Sequence, residues 1–218
     1  MGNKKIAIVG AEGKMGKMIC QRLKHSYSIF KVTKRSKLKK WKRISLVIDF
    51  ASAESSVDSA RFCAEQKIPL IVGSTGQTEE QLTEIEKCGK FIPILKCNNF
   101  SMGIQAMLRA LEGFCKNGPN EVTVFETHSK SKKDSPSGTA NAICNFLKQQ
   151  TNCQIQVCAE RAGDGFGTHK IKFYYNNEII ELQHTALSRE VFVSGLEKCI
   201  EPMLNKNIAG LFSVSDIL

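Results

Sequence analysis

Short apolar runs alternate with segments of helical spacing through the first hundred residues, and no other feature of the chain limits its fold as strongly. Lys5–Val9, Ser28–Thr33, Leu46–Phe50, Leu70–Val72 and Ile92–Lys96 are rich in β-branched and aliphatic side chains. Between them, Met15, Met18, Ile19 and Leu23 recur at steps of three and four residues, and Ala53–Gln66 and Glu79–Lys87 read as two further helices. Strands separated by helices join through crossover connections, which build a parallel sheet with helices on both faces.

The pattern changes after Asn98. Gly103–Phe114 reads as a helix, and over Glu121–Glu126 the residues Val122, Val124 and Glu126 alternate with Thr123 and Phe125 at the period of a strand. A Gly/Ser-rich loop leads to a helix at Thr139–Gln149. Strands are then expected near Ile155–Ala159, His169–Tyr175, Ile179–Gln183 and Glu190–Val193, with Asn176–Asn177 as a hairpin turn. This half predicts a smaller α+β domain with a mixed, mostly antiparallel sheet. A last helix, Leu196–Leu204, and the tail Gly210–Leu218 are expected to return to the first domain. The expected division is 1–100 with 190–218 for one domain and 101–189 for the other.

At 218 residues both domains can bury a core. No apolar run reaches the roughly 18–20 residues that span a bilayer, and Ile6–Gly10 is too short for a signal-peptide core. Nine cysteines form no CxxC pair or His/Cys cluster, so reduced thiols in a cytoplasmic protein are expected, with neither a disulfide framework nor a metal site. The formal charge of +10 raises nucleic acid as a partner. The densest basic stretch, Lys31–Arg43, has Trp41 as its one aromatic and lacks the interleaving of a single-strand platform. A solvated face or a cofactor-phosphate contact fits it better, and no nucleic acid or membrane partner is expected.

Gly10-Ala11-Glu12-Gly13-Lys14-Met15-Gly16 has the GxxGxxG form of a dinucleotide turn and falls directly between the first strand and the first helix. Glycines there allow a tight turn and close backbone approach, while the helix start offers N–H groups and a positive dipole end to a pyrophosphate. Lys14 can add a charge; the bland alternative is a plain structural turn. The end of the second strand reads Thr33-Lys34-Arg35-Ser36, with no carboxylate for a ribose 2′-hydroxyl and an arginine suited to a 2′-phosphate. NADPH is therefore the better match, with NADH as the other possibility and surface charge as the alternative role for Lys34 and Arg35.

The segment Glu126-Thr-His128-Ser129-Lys-Ser-Lys132-Lys-Asp134-Ser-Pro136-Ser137-Gly138-Thr139-Ala140 leaves a strand, crosses a polar loop and opens a helix. The helix start can hold a carboxylate on its backbone N–H groups, and Lys132 can bind an anion or donate a proton. His169 and His184 lie in strands, where a structural role is the simpler reading.

This segment resembles the signature of the dihydrodipicolinate reductase (4-hydroxy-tetrahydrodipicolinate reductase) family, written E-[LI]-H-H-x-x-K-x-D-[AS]-P-S-G-T-A. Further blocks follow in family order: Gly10–Gly16, Asp49-Phe50, Gly73-Ser74-Thr75-Gly76, Asn99-Phe100-Ser101-Met102-Gly103, Arg161-Ala-Gly163 with Gly167-Thr168-His169, Ser188-Arg189, and Gly210-Leu211-Phe212. The resemblance implies a Rossmann-type nucleotide-binding domain, a substrate domain that builds a homotetramer (a dimer being the alternative), and NAD(P)H-dependent reduction of a small cyclic dicarboxylate in lysine biosynthesis. It implies that Lys132 is the proton donor and His128 a substrate-positioning or acid/base residue, with Ser129, Gly138 and Thr139 binding substrate. Cofactor contacts are implied for Gly10, Ala11, Glu12, Gly13, Lys14, Met15, Lys34, Arg35, for Gly73, Ser74, Thr75, and for Cys97, Asn98, Asn99, Phe100. Three departures stand out: Ser129 where the family has a second histidine, Ser52 where it has an arginine, and shortening between Arg35 and Ile44 and between Thr151 and Arg161. A catalytically silent nucleotide-binding regulator is the alternative function.

Overall fold

The computed structural model describes residues 4–33 and 43–218. The chain forms two compact units, Met1–Phe100 with Phe192–Leu218, and Ser101–Val191.

In the first unit, β1 (Lys5–Val9), β2 (Ser28–Val32), β3 (Leu46–Asp49), β4 (Leu70–Val72), β5 (Pro93–Lys96) and β10 (Gly210–Phe212) form a six-stranded sheet in the order β10-β5-β4-β3-β1-β2, parallel throughout. The strands are apolar without interruption because both faces are covered. Ile6, Ile8, Leu46, Ile48, Ile71 and Leu95 face a core that includes Ile19 and Leu23 of α1 (Lys14–Leu23) and Leu196, Ile200 and Met203 of α6 (Glu190–Leu204). Their neighbours Ala7, Val9, Val47, Leu70, Val72 and Ile94 face Val57, Ala60 and Cys63 of α2 (Ala53–Gln66) and Ile85 of α3 (Glu79–Gly89).

Three bonds carry the sheet one residue beyond its strands: Phe50 N–H to Val9 O at 3.1 Å, Gly73 N–H to Asp49 O at 2.9 Å, and Cys97 N–H to Val72 O at 3.0 Å. The turns after β3, β4 and β5 are thereby aligned along one edge. Asp49, fully buried, anchors the β3–α2 turn by accepting from Ala51 N–H (2.9 Å), Ser55 Oγ (2.8 Å) and Ser59 Oγ (2.6 Å).

The second unit holds β6 (Glu121–His128), β7 (Gln154–Arg161), β8 (Thr168–Tyr174) and β9 (Ile179–Thr185) in the order β7-β6-β8-β9. β6 and β7 run parallel, and the other two pairings are antiparallel. α4 (Met102–Lys116) and α5 (Gly138–Gln150) cover one face, packing Ile104, Met107, Leu111, Ile143 and Leu147 on Val122, Val124, Ile171 and Phe173.

The fold class is the one the alternation predicts: a parallel α/β sheet and a smaller mixed sheet. One expectation is corrected. The strand expected at Glu190–Val193 is the opening of α6, because Val193, Leu196, Ile200 and Met203 recur at helical spacing and bury one stripe, which outweighs the β-propensity of Val191-Phe192-Val193. Val122, Val124, Ile171 and Phe173 of the second sheet are fully buried under α4 and α5. Among the described residues no helix is long and apolar enough to cross a membrane.

Gly195 in α6 sits so close to the Phe100 backbone that a Cβ would lie 1.7 Å from its carbonyl oxygen, whereas one at Gly113 in α4 would meet nothing within 4 Å. Gly113→Ala is therefore expected to stabilise by about 1 kcal/mol through helix propensity. Gly195→Ala is expected to destabilise by about 1–3 kcal/mol through overpacking. Urea midpoints of the two variants check this, and a raised midpoint for Gly195→Ala contradicts the packing.

Candidate active site

Period-two alternation builds the core of the second unit's site. Val122 and Val124 point into the core, and the same face of β6 continues with Glu126 and His128, both buried. Register supplies their neighbours: His169 of β8 lies opposite Glu126, and Arg161 of β7 lies beside His128. Glu126 Oε1 accepts from Arg161 Nη2 at 2.8 Å and from Ser137 N–H at 3.1 Å, while Oε2 is hydrogen-bonded to His128 Nδ1. Burial alone pushes the Glu126 carboxyl up, but the Arg161 and His128 contacts outweigh it and hold the group below its ordinary range. Burial likewise holds His128 below its ordinary range, against the pull of Glu126.

Ser137 caps α5 through Ala140 N–H at 3.1 Å, and its hydroxyl also meets His169 Nε2 at 3.3 Å. Burial drives His169 down to about 4, and its Nδ1 has no hydrogen-bond partner among the described residues. The rings of His128 and His169 meet edge to face at 5.2 Å. Lys132 Nζ pairs with Asp134 Oδ1 at 2.8 Å, and the Asp134 backbone carbonyl accepts from Arg161. Asp134 also receives the Gly138 N–H; burial would raise its carboxyl, and Lys132 and the backbone donors hold it down.

The loop between β7 and β8 closes on this cluster through Ala162 N–H to His128 O (2.9 Å), Ser129 N–H to Gly165 O (3.3 Å) and Lys130 N–H to Gly163 O (3.3 Å). Gly167 has φ +126°, and a Cβ there would stand 2.5 Å from His128 Nε2. Only glycine leaves the ring its place. Glu126, His128 and His169 are the one His/Cys/Asp/Glu grouping among the described residues with metal-ligand spacing. Both Glu126 oxygens are already engaged and Arg161 supplies the positive charge, so the set fits a protein cation rather than a metal ion.

Of the residues singled out from the sequence, His128, Lys132, Gly138 and Thr139 fall at this site. Ser129 joins the loop, its hydroxyl 3.0 Å from Ser131 Oγ. Glu126, Arg161 and His169 carry the cluster and were not among the expected site residues. The signal that could have found them is a buried-face polar pair two residues apart on one strand, Glu126 and His128, with an arginine closing the next.

In the first unit the Gly10–Gly16 turn joins β1 to α1. Gly10 has φ +81°, and a Cβ on Gly16 would lie 2.1 Å from Gly10 O. Gly13 is the N-cap of α1, its own N–H held by Gly10 O at 2.9 Å; among the described residues no side chain caps the helix start and its first turn carries no acidic residue, so the N–H groups of that turn can take a phosphate. The turn thus fits a dinucleotide pyrophosphate. Glu12, Gly13 and Lys14 are exposed there, Met15 is partly buried, and Ala11 is buried with its N–H on Val32 O at 3.4 Å.

The Gly73–Thr75 turn lies against the Phe50 ring, and Ser74 Oγ accepts from Gln77 Nε2 at 3.1 Å. In the turn after β5, Cys97 Sγ donates to Asn99 O, burial pushes the Cys97 thiol up to about 11, Asn98 accepts from Lys96 Nζ at 2.8 Å, and Phe100 is core, its ring 5.7 Å from Phe50. Ser52, the departure from arginine, caps α2 by accepting from Ser55 N–H at 3.2 Å. Lys34 and Arg35 lie outside the described residues.

Comparison with known proteins agrees across the whole chain. Residues 4–100 match the family described as "Dihydrodipicolinate reductase, N-terminus", and residues 103–218 match "Dihydrodipicolinate reductase, C-terminus". A protein of Bdellovibrio bacteriovorus named 4-hydroxy-tetrahydrodipicolinate reductase is 30% identical over 220 residues, covering 98% of this chain and 96% of its own. One of the same name from Clostridium novyi is 30% identical over 247 residues, covering 98% of each. The solved structure of a dipicolinate-bound dihydrodipicolinate reductase from Paenisporosarcina sp. TG-14 shares the fold with a TM-score of 0.76 at 17% identity, over 99% of this chain and all of the other. With both halves matched in order over nearly its full length, the chain belongs to the dihydrodipicolinate reductase family.

Proposed function

We infer that this protein is a pyridine-nucleotide-dependent oxidoreductase that reduces 4-hydroxy-tetrahydrodipicolinate (dihydrodipicolinate) to tetrahydrodipicolinate, in the diaminopimelate route to lysine in the cytoplasm. The observation that carries the reading within the second unit is the convergence of Lys132, His128 and the N-terminus of α5 on one anchored cluster. A catalytically silent regulatory role finds no support in the family match.

The Gly10–Met15 turn, the Gly73–Thr75 turn and the Cys97–Phe100 turn would hold the nucleotide, with Lys34 and Arg35 on the 2′-phosphate of NADPH. Loss of the 4-hydroxyl as water gives dihydrodipicolinate, and a nicotinamide bound at these turns would supply the hydride to a ring carbon of it. Gly138 and Thr139 bind a substrate carboxylate through their backbone N–H groups, exchanging it for the Asp134 carboxylate that now takes the Gly138 N–H and Lys132. Ser129 offers that anion a hydroxyl in place of a ring N–H. Lys132, freed from Asp134, delivers the proton that completes the reduction, and His128 orients the ring through Nε2.

Lys132→Ala is expected to lower turnover by about 10²–10⁴-fold, the range of general acid catalysis. Nucleotide affinity should stay unchanged, since the nucleotide belongs to the other unit. Oxidation of NADPH with freshly made product of the preceding synthase-type aldol step measures both, and unaltered turnover removes Lys132 from the mechanism.

NADPH should bind more tightly than NADH, and Arg35→Ala should narrow the difference by about 1–3 kcal/mol, the scale of a charge-assisted contact. Calorimetric titration of each nucleotide tests it; equal binding by the unmutated protein defeats the assignment.

We propose self-association as a homotetramer, with a dimer as the alternative. Its support is β7, an edge strand exposed along most of its length, and an open sheet face bearing Phe125 among Thr127, Lys170, Lys172 and Gln183. Light scattering over a dilution series should give more than one chain per particle, and a stable monomer at micromolar concentration contradicts it.

A further inference from the structure

We propose that Glu126 and Arg161 are positioning residues of the reaction: Glu126 fixes His128 as the Nδ1–H tautomer with Nε2 open to substrate, and Arg161 ties the same carboxylate to the loop that carries Lys132. The proposal rests on the roles given above to His128 and Lys132.

The first half of the argument is proton accounting. His128 is faced by Glu126 on its own strand, Arg161 on β7, His169 on β8 and Lys132 in the loop. Burial, Lys132 and Arg161 oppose a positive charge on the ring, and the nearly neutral His169 offers no counter-ion. The ring therefore carries one proton. An ionised carboxylate against Nδ1 requires that proton to sit on Nδ1, because two acceptors at hydrogen-bond distance repel. Nε2 then holds a lone pair beside Gly167, in the space a side chain would fill. His128 is thus set to accept a hydrogen bond or a proton from a substrate N–H or O–H, which leaves donation to Lys132.

The second half concerns Lys132. Arg161 Nη2 binds Glu126 Oε1 at 2.8 Å and also donates to the Asp134 backbone carbonyl, and Asp134 Oδ1 holds Lys132 Nζ at 2.8 Å. One guanidinium nitrogen, Nη2, therefore joins the buried carboxylate to the loop, while Nη1 donates to the Glu160 carbonyl at 2.7 Å, so a planar fork holds three acceptors in a geometry that a flexible ammonium does not fix. Ser137 N–H, the first donor at the α5 start, ends on the same Glu126 oxygen at 3.1 Å. The two groups assigned to chemistry and the turn assigned to the substrate carboxylate hang from one side chain. Stability is a weak reason for such a pair, since buried ion pairs add little net stability over apolar residues of the same size.

The test is imidazole nitrogen NMR on the full chain with ¹⁵N-labelled histidine, His128 being assigned by its loss in His128→Gln. The unmutated protein should show His128 as the neutral Nδ1–H tautomer; an Nε2–H tautomer overturns the proposal. In Glu126→Gln the amide N–H faces Nδ1, so the tautomer should switch to Nε2–H. Its kcat should fall by about 10²–10⁴-fold, with nucleotide KM unchanged and the His128 inflection moved to lower pH, because the carboxylate that raises it is gone. A folded Glu126→Gln with the switched tautomer and unaltered kcat overturns the proposal. Arg161→Lys should keep the Nδ1–H tautomer and lower kcat, and full activity there overturns the Arg161 half; this variant decides if Glu126→Gln does not fold. The tautomer is read without substrate, so failure of the reductase reading would show instead as an unmutated protein with the Nδ1–H tautomer that does not turn the dicarboxylate over.

Discussion

A carboxylate buried at the end of a core strand sets the arrangement of the second unit. Glu126 continues the stripe begun by Val122 and Val124, and its side chain is fully enclosed. An ion taken out of water loses several kcal/mol of solvation unless donors replace the lost water. Here the donors come from β7 as Arg161, from the start of α5 as Ser137 N–H, and from β6 itself as His128. Satisfying one charge therefore fixes the ends of three elements at one point, and the site follows from that demand.

The first unit meets a similar demand differently. Asp49 is also buried at a strand end, but its donors are two serine hydroxyls and one backbone N–H, all neutral. Burial wins there and the Asp49 carboxyl is raised, whereas charged partners turn the balance at Glu126. The contrast separates two uses of a buried acid. At Asp49 hydroxyl groups brace a turn, while at Glu126 a guanidinium and an imidazole are drawn in and oriented. The nucleotide turn relies on neither; its fit comes from backbone, with open N–H groups at an uncapped helix start and a glycine where any Cβ would strike Gly10 O.

Much of this was legible in the sequence because periodicity reports burial directly. The bounds of α2 and β4 match those read from the sequence, since the first is framed by Ser52 as cap and the second is a short fully buried run. The opening of α6 was not legible: Val191-Phe192-Val193 suits a strand locally, and only the stripe continued by Leu196 and Ile200 shows the helix. His128 and Lys132 stood out because the segment that carries them resembles the family signature. Arg161 and His169 did not, because their places beside Glu126 depend on strand register, which joins residues more than thirty positions apart.

The most direct measurement is a single turnover of the unmutated protein with NADPH deuterated at the transferred position and the freshly formed ring substrate in ordinary water. The account predicts one deuterium on a ring carbon of the product and a solvent-derived hydrogen completing the reduction. Nucleotide left unoxidised, or a product without deuterium, would contradict it.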